Sequence, residues 1–130
     1  MQTQFTTPRT ITTKSGMILP ATITPETDMN LMVTAICLYH SFNERRTDYD
    51  TLEAVMMAMR DGSAVVTMYT DATGEQAARV LWPSSITLTA GNNITARCYC
   101  TLRRQYKSFR IERMAMCHAL TTPDDSETAA

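Results

Sequence analysis

The residues with the clearest chemistry in this 130-residue chain lie in a short basic segment, residues 97–113. The segment holds six basic residues against one acid, Glu112, and so contains half of the twelve lysines and arginines of the chain. Guanidinium groups bind phosphates through paired hydrogen bonds, and tyrosine rings stack on unpaired bases. The spacing therefore predicts an anion-binding surface formed, beside Tyr106, by Arg97, Tyr99, Arg103, Arg104, Lys107, Arg110 and Arg113.

The charge balance of the whole chain narrows that prediction. The formal net charge is -1, so only a local surface can attract a polyanion. A charged loop is often simply solvated, but such loops usually mix signs, and excess positive charge costs folding free energy unless an anion or an acidic partner relieves it. One candidate for that partner is the acidic C-terminal tail, residues 121–130, which we expect to be disordered and which contains Asp124, Asp125 and Glu127.

Thiols and imidazoles offer a second set of candidates. Cys98 and Cys100 are separated by one residue, and Cys117 precedes His118, which are residue types that a zinc site or a nucleophilic site can use. Adjacent residues of a strand point in different directions, however, and the pair at 98 and 100 lies among apolar residues, where cysteine behaves as a small hydrophobe. A metal or thiol enzyme is the least supported hypothesis, and we expect no enzyme activity, metal or cofactor.

Two amphipathic helices are predicted before the basic segment. The first begins at Thr24–Pro25, where a hydroxyl can cap free amides and proline fits the first turn, and its apolar stripe runs to about Asn43. Asp48 or Asp50 caps the second helix, which ends at Asp61–Gly62. These helices must bury their apolar stripes, so we expect the helical segment to pack on the remainder of the chain.

After Gly62 the apolar period changes from 3.6 to 2 residues, which predicts strands. Turn residues and Pro83, which breaks a strand ladder, separate them. The predicted fold is α+β, a small five-stranded antiparallel β-barrel preceded by two helices that cover one opening or face. The five predicted strands are residues 64–70, 77–82, 85–90, 93–101 and 107–114.

The fourth predicted strand connects the basic segment to the core. Its apolar residues alternate with polar ones, so one face should be buried and the other should present Arg97 and Tyr99 to solvent. The residues expected in the core are Ile94, Ala96, Cys98 and Cys100.

The chain therefore divides into four segments. Residues 1–23, rich in threonine with scattered proline and glycine, should form an irregular arm, residues 24–60 the helical segment, residues 61–120 the barrel and residues 121–130 the tail. No signal peptide or membrane-spanning stretch is recognisable, which predicts a cytoplasmic protein with reduced cysteines and no membrane contact. The long apolar stripe of the first helix predicts a homodimer formed through the helices.

Three stretches of the second half resemble the successive signatures of WYL domains: Arg79–Pro83, Cys98–Arg103 and Phe109–Met114. The resemblance covers about residues 51–120. The tripeptide that names the family falls on Ile94–Ala96, so neither of its aromatic residues is present and core packing there must differ.

Two further positions depart from the family pattern. Arg104 stands where the family usually has glycine, and Lys107 stands where it has arginine. Both changes keep or increase the positive charge, and the first bears on the shape of the loop because glycine is the residue that adopts positive φ freely. The resemblance adds Arg79 to the candidate binding residues.

The resemblance implies an SH3-like or Sm-like barrel used as a ligand-sensing module, most often in bacterial transcription regulators and in some cases binding single-stranded nucleic acid. We therefore expect a regulatory module that binds single-stranded nucleic acid or a nucleotide through its arginine-rich face. The alternative is a protein-interaction or accessory module of a transcription or phage-defence system, in which the basic face meets an acidic partner.

Overall fold

Two α-helices and eight strands form the described part of the chain, residues 10–12, 15–89 and 91–120 of a computed structural model. This confirms the predicted α+β class. The helices are α1 (Met29–Phe42) and α2 (Tyr49–Asp61), and a 3-10 turn spans Ile111–Arg113. The strands are β1 (Thr10–Thr12), β2 (Ile18–Pro20), β3 (Thr22–Ile23), β4 (Ala64–Thr70), β5 (Gln76–Leu88), β6 (Ile94–Cys100), β7 (Gln105–Arg110) and β8 (Met114–Leu120).

Helix α1 begins later than predicted. Its cap is Asp28, whose carboxylate accepts hydrogen bonds from the first amides of the helix. The predicted start at Thr24–Pro25 is wrong because these residues belong to a turn, in which the Thr27 amide donates to the Thr24 carbonyl and the Thr27 hydroxyl accepts from the Thr24 amide. A carboxylate at the cap accepts from free amides as a hydroxyl does and also favours the positive end of the helix dipole.

Helix α2 has both predicted ends. Asp48 caps it by accepting a hydrogen bond from the Thr51 amide at 3.2 Å. Gly62 ends it with φ of 71°, the left-handed conformation that glycine adopts without steric cost. Its apolar stripe is buried and consists of Leu52, Val55, Met56 and Met59.

The main sheet has six antiparallel strands, in the order β7, β6, β5, β4, β8, with β3 paired to the far half of β5. Two strands predicted at 77–82 and 85–90 are one long strand, β5, and Ala90 lies outside the described residues. Pro83 does not end β5, because the pairing with β6 shifts register between Pro83 and Ser85. A bulge of this kind accommodates proline inside a sheet and bends the strand.

The prediction of a closed, five-stranded barrel is wrong. The difference lies mainly in the C-terminal part of the sheet. The strand predicted at 107–114 is β7 followed by the 3-10 turn, and the chain then enters β8, which pairs with β4. β7 and β8 lie at opposite ends of the strand order, so the sheet is not closed within the described residues. A side chain partly bridges the opening, since the Arg110 amide donates to the Tyr69 hydroxyl at 3.0 Å.

The core lies between the helices and one face of the sheet, which we call the inner face; the opposite face is the outer face. The alternation predicted for β6 is confirmed, because Ile94, Ala96, Cys98 and Cys100 are buried while Arg97 is exposed. In α1, the apolar residues Met32, Ile36 and Tyr39 are buried, whereas Met29 is 37% exposed. The homodimer predicted through the helices stays a prediction.

The described part of the predicted irregular arm contains regular structure. β1 pairs with β2, β3 pairs with β5, and Leu19, Ala21 and Ile23 are fully buried. Residues 1–9 and 13–14, like the predicted acidic tail at 121–130, lie outside the described residues. None of the helices in the described ranges is long and apolar enough to cross a membrane.

Candidate anion-binding site

A cavity of about 330 Å³ opens at the end of the sheet where the β4–β5 and β6–β7 connections meet. Its walls come from three strands, β4, β5 and β7, and from the two turns between β4 and β5 and between β6 and β7. The lining residues are Tyr69, Asp71, Ala72, Thr73, Arg79, Arg103, Lys107, Ser108 and Phe109.

Two aromatic side chains form the apolar part of the cavity wall. Tyr69 of β4 and Phe109 of β7 pack edge to face, with ring centroids 5.0 Å apart and planes at 87°. Both are buried and belong to the hydrophobic core. Edge-to-face packing, together with the hydrogen bond from the Arg110 amide to the Tyr69 hydroxyl, holds the two rings in place. The cavity is therefore bounded by a fixed aromatic wall.

Three cations line the same cavity. Arg79 precedes Leu81 by two residues on β5, so strand alternation places it toward the inner face, and Lys107 and Arg103 come from β7 and from the turn before it. Within the described residues none of the three forms an ion pair. The Nε atom of Arg79 is also buried without a hydrogen-bond partner. Leaving a buried donor unpaired costs roughly 1–3 kcal/mol.

The acid in the cavity wall, Asp71, is already engaged by its own turn. Its Oδ1 accepts hydrogen bonds from the Thr73 hydroxyl at 2.6 Å, the Thr73 amide at 2.8 Å and the Glu75 amide at 3.0 Å. The hydrogen bond from the Thr73 side chain is the main reason that the pKa of Asp71 lies below its ordinary value. Asp71 thus shapes the β4–β5 turn and forms no ion pair with the three described cavity cations.

The eight binding residues predicted from the sequence do not all lie in one place in the structure. Arg79, Arg103 and Lys107 line the cavity, and the other five predicted residues do not. Arg110 pairs with Glu112 at 3.3 Å, and Arg113 follows in the 3-10 turn. The remaining three lie on the outer face of β6 or in the turn after it: Arg97, Tyr99 and Arg104.

Sequence reasoning missed the aromatic wall and the turn that completes the cavity. Tyr69 and Phe109 are typical apolar strand residues, and nothing in their spacing separates a core role from a cavity wall. Asp71, Ala72 and Thr73 stand in a run of turn-forming residues, and that pattern predicts a turn but not its place in a cavity wall. Trp82, which is 42% exposed on the outer face, was also not assigned; its exposure follows from its alternation with the buried Leu81, a signal that the sequence contains.

The thiols proposed as weaker candidates are poorly suited to nucleophilic chemistry. Burial raises the pKa of the Cys98 thiol to about 12 and that of the Cys117 thiol to about 11. Both therefore stay protonated at neutral pH, and the thiolate is the reactive form. Among the described residues no group of three or more His, Cys, Asp or Glu side chains is placed to hold a metal ion.

Comparison with known protein families identifies the fold around this cavity. The family model of the WYL domain matches residues 50–118, more than half of the chain. This chain belongs to the WYL-domain family. The resemblance inferred from the sequence is confirmed, and the match includes every residue that lines the cavity.

The fold is similar to that of a solved structure of a larger protein. Proteasome accessory factor B/C (PafBC) of Arthrobacter aurescens superimposes with a TM-score of 0.52 over 62% of this chain, at 17% sequence identity. The chain spans 13% of the length of that protein, so the similarity concerns one part of a larger molecule. No curated protein matches the sequence. Membership of the WYL-domain family supports, in general terms, a regulatory, ligand-sensing or nucleic-acid-related module.

One departure from the WYL pattern, Arg104, lies in the turn between β6 and β7. Arg104 adopts φ of 56°, in the left-handed region that glycine enters freely. Its amide donates to the Cys100 carbonyl at 2.7 Å and so closes the turn between β6 and β7. The turn therefore has the backbone conformation that suits a glycine, although this chain has an arginine there.

Proposed function

We propose that this WYL-domain protein is a regulatory module that binds single-stranded nucleic acid or a nucleotide by its phosphate groups in the cavity of Arg79, Arg103 and Lys107. One observation carries the proposal. Three cations line one cavity, none of them is ion-paired within the described residues, and one has a buried donor without a partner.

The chemistry of the cavity suits a phosphate ester better than a simple anion. Arginine presents a planar fork of donors that matches two phosphate oxygens, and lysine adds a mobile point charge. The Tyr69 and Phe109 rings supply an apolar wall for the sugar or base attached to the phosphate. A volume of about 330 Å³ lies at the lower end of the range of small-molecule sites, and the opening leaves room for a longer strand to continue outside.

A binding role without catalysis is part of the same proposal. The high pKa values of Cys98 and Cys117 argue against thiol chemistry, and the Asp71 carboxylate accepts three hydrogen bonds from its own turn instead of being free to act as a base. Ligand occupancy would then be the signal, passed on by whatever partner or domain contacts the module.

The proposal is tested by fluorescence anisotropy with labelled single-stranded DNA, labelled single-stranded RNA and a fluorescent nucleoside triphosphate, each at several salt concentrations. We expect binding that weakens as salt rises, because phosphate contacts release counterions. Arg79→Gln should reduce it roughly 10-fold or more, the cost of one charge-assisted hydrogen bond. Arg60→Gln is the matched control, since it removes one positive charge that is already paired with Asp61 at 3.2 Å.

Failure to bind any of the three probes at low salt would overturn the proposal. Binding of an acidic polypeptide in their place, lost in Arg79→Gln, would support the alternative in which the basic face meets a protein partner. Binding of nucleic acid that Arg79→Gln and Arg60→Gln reduce equally would show that the cavity is not the site.

A further inference from the structure

A second surface of the β6–β7 region is not used by the cavity. Trp82 of β5, Tyr99 of β6 and Tyr106 of β7 lie in one row across three neighbouring strands, because Trp82 pairs with Tyr99 and Tyr99 pairs with Tyr106. Directly paired residues of antiparallel strands have their side chains side by side on the same face. We call this row, together with Arg97, the aromatic row.

The aromatic row faces away from the core. Trp82 and Tyr106 are 42% and 53% exposed, whereas Cys98 and Cys100, the neighbours of Tyr99 on β6, are fully buried. The rings of Tyr99 and Tyr106 are 5.3 Å apart at 69°, and the guanidinium of Arg97 lies 5.5 Å from the centroid of the Tyr106 ring. Cross-strand packing accounts for the tyrosine pair, but it leaves an exposed tryptophan at the end of the row.

The composition of this surface is complementary to unpaired bases. Bases stack on exposed aromatic rings with little dependence on sequence, and a sheet that displays such rings takes two or three bases in known modes of RNA recognition. Arg97 adds a positive charge and a planar group that also stacks. An acidic peptide would use the arginine but would leave the three rings in water.

The aromatic row adjoins the cavity along the chain. Tyr106 immediately precedes Lys107, which lines the cavity, and the turn that contains Arg103 connects the strands of Tyr99 and Tyr106. One ligand can therefore contact both surfaces around the β6–β7 hairpin, provided that it is long enough to place phosphates in the cavity and bases on the outer face. A mononucleotide has only one base, so it cannot place phosphates in the cavity and bases on the outer face at the same time.

We infer that the aromatic row stacks unpaired bases of a single-stranded polynucleotide whose phosphates occupy the cavity. This rests on the proposed function and narrows it: the ligand is a strand of several nucleotides, and a mononucleotide is a partial ligand. Trp82 becomes a binding residue that the WYL signatures did not assign.

The chain contains one tryptophan, so Trp82 reports directly on the row. We expect a 12-nucleotide single strand of thymidine or uridine to quench its fluorescence on binding, whereas a nucleoside triphosphate binds without comparable quenching. Trp82→Leu should weaken binding of the 12-mer roughly 5- to 100-fold, the range measured for loss of one stacked base, and should leave triphosphate affinity unchanged. Trp82→Phe, which keeps a ring, should recover most of the affinity.

Two controls keep the test decisive. Tyr106→Ser, at a more exposed position on the edge strand β7, should weaken 12-mer binding in the same way even if Trp82→Leu destabilises the fold. Met116→Ser removes a side chain that is 68% exposed on β8, outside the row, and should change neither affinity.

The outcomes separate the two claims. In one outcome, both probes bind, Arg79→Gln abolishes the binding of both, and substitutions of Trp82 and Tyr106 change neither affinity. The proposed function then holds, and the aromatic row is not a binding surface. If the 12-mer quenches Trp82 but Arg79→Gln has no effect, the row is supported and the cavity is not the phosphate site. Absence of any binding overturns both.

Discussion

Two groups of cations in this protein have opposite surroundings. Arg60 and Arg110 each lie within 3.3 Å of an acid from their own neighbourhood, Asp61 and Glu112. Arg79, Arg103 and Lys107 line one cavity and have no ion-pair partner among the described residues. We call these the paired cations and the cavity cations.

The comparison shows that local charge density does not reveal which cations are ion-paired and which line the cavity. Arg110 and Lys107 are three residues apart in the same basic segment, yet one is neutralised by Glu112 and the other is left for the cavity. Arg79, 24 residues before Arg103 in the sequence, joins the cavity because its strand, β5, pairs with β6, and β6 leads into the turn that contains Arg103. The groups should therefore respond differently to substitution, and the following predictions run from the largest expected difference to the smallest.

Charge reversal at two cavity cations should have the largest effect. Arg103→Glu with Lys107→Glu replaces two exposed side chains, so the fold should tolerate it, and we expect binding of the single strand to fall more than 100-fold because two charge-assisted contacts are lost and repulsion is added. The measurement is anisotropy at low salt. Arg60→Glu carries the same type of change at a paired cation and should have little effect; equal losses would remove the distinction between the groups.

Arg104, which belongs to neither group, should reveal strain in the turn. Arg104→Gly removes a side chain from a residue at φ of 56°, so we expect the free energy of unfolding to rise by about 1 kcal/mol in a denaturant titration. Arg103→Gly, one residue earlier, is the comparison and should give no such gain. Binding by Arg104→Gly should fall less than 3-fold. A destabilised Arg104→Gly protein would contradict the role assigned to the positive φ.

The acid of the cavity wall should oppose anionic ligands weakly. Asp71→Asn keeps an oxygen that can accept from Thr73 but removes a negative charge, so we expect affinity for the single strand to rise about 3-fold, a screened electrostatic effect. An affinity that falls instead would show that Asp71 contacts the ligand.

The pKa of Asp71 is lowered in the folded state, so its contribution to stability is present above the ordinary carboxyl pKa and is lost as pH falls through the folded value. In thermal melts between neutral pH and pH 3, the Asp71→Asn protein should therefore not show this loss of stability as the pH falls.

Loss of a paired cation should have the smallest effect. Arg110→Gln breaks the ion pair with Glu112, which lies near the surface, and should lower the free energy of unfolding by about 0.5 kcal/mol while changing ligand affinity less than 3-fold. Titration calorimetry and a denaturant melt measure the two quantities. A loss of affinity as large as that of Arg79→Gln would place Arg110 back among the binding residues and extend the site beyond the cavity.

Much of the fold is readable from the sequence because its signals are local. Asp48 and Gly62 define the ends of α2 through cap and turn chemistry, and the alternation of β6 separates buried residues from Arg97 and Tyr99. The errors also have local causes. The Thr24–Pro25 pattern suits a helix start as well as a turn, and Pro83 suits a strand end as well as a bulge inside a longer strand.

The sequence by itself determined the α+β class, the WYL relationship and the presence of a basic segment, since composition, periodicity and short motifs are properties of neighbouring residues. Only the tertiary structure decided which cations meet. Strand register brings Arg79 to Arg103 and Lys107 and aligns Trp82 with Tyr99 and Tyr106, and the 3-10 turn directs Arg110 to Glu112. Pairing between distant strands depends on how the whole sheet bends over its core, and that information is not contained in any single segment.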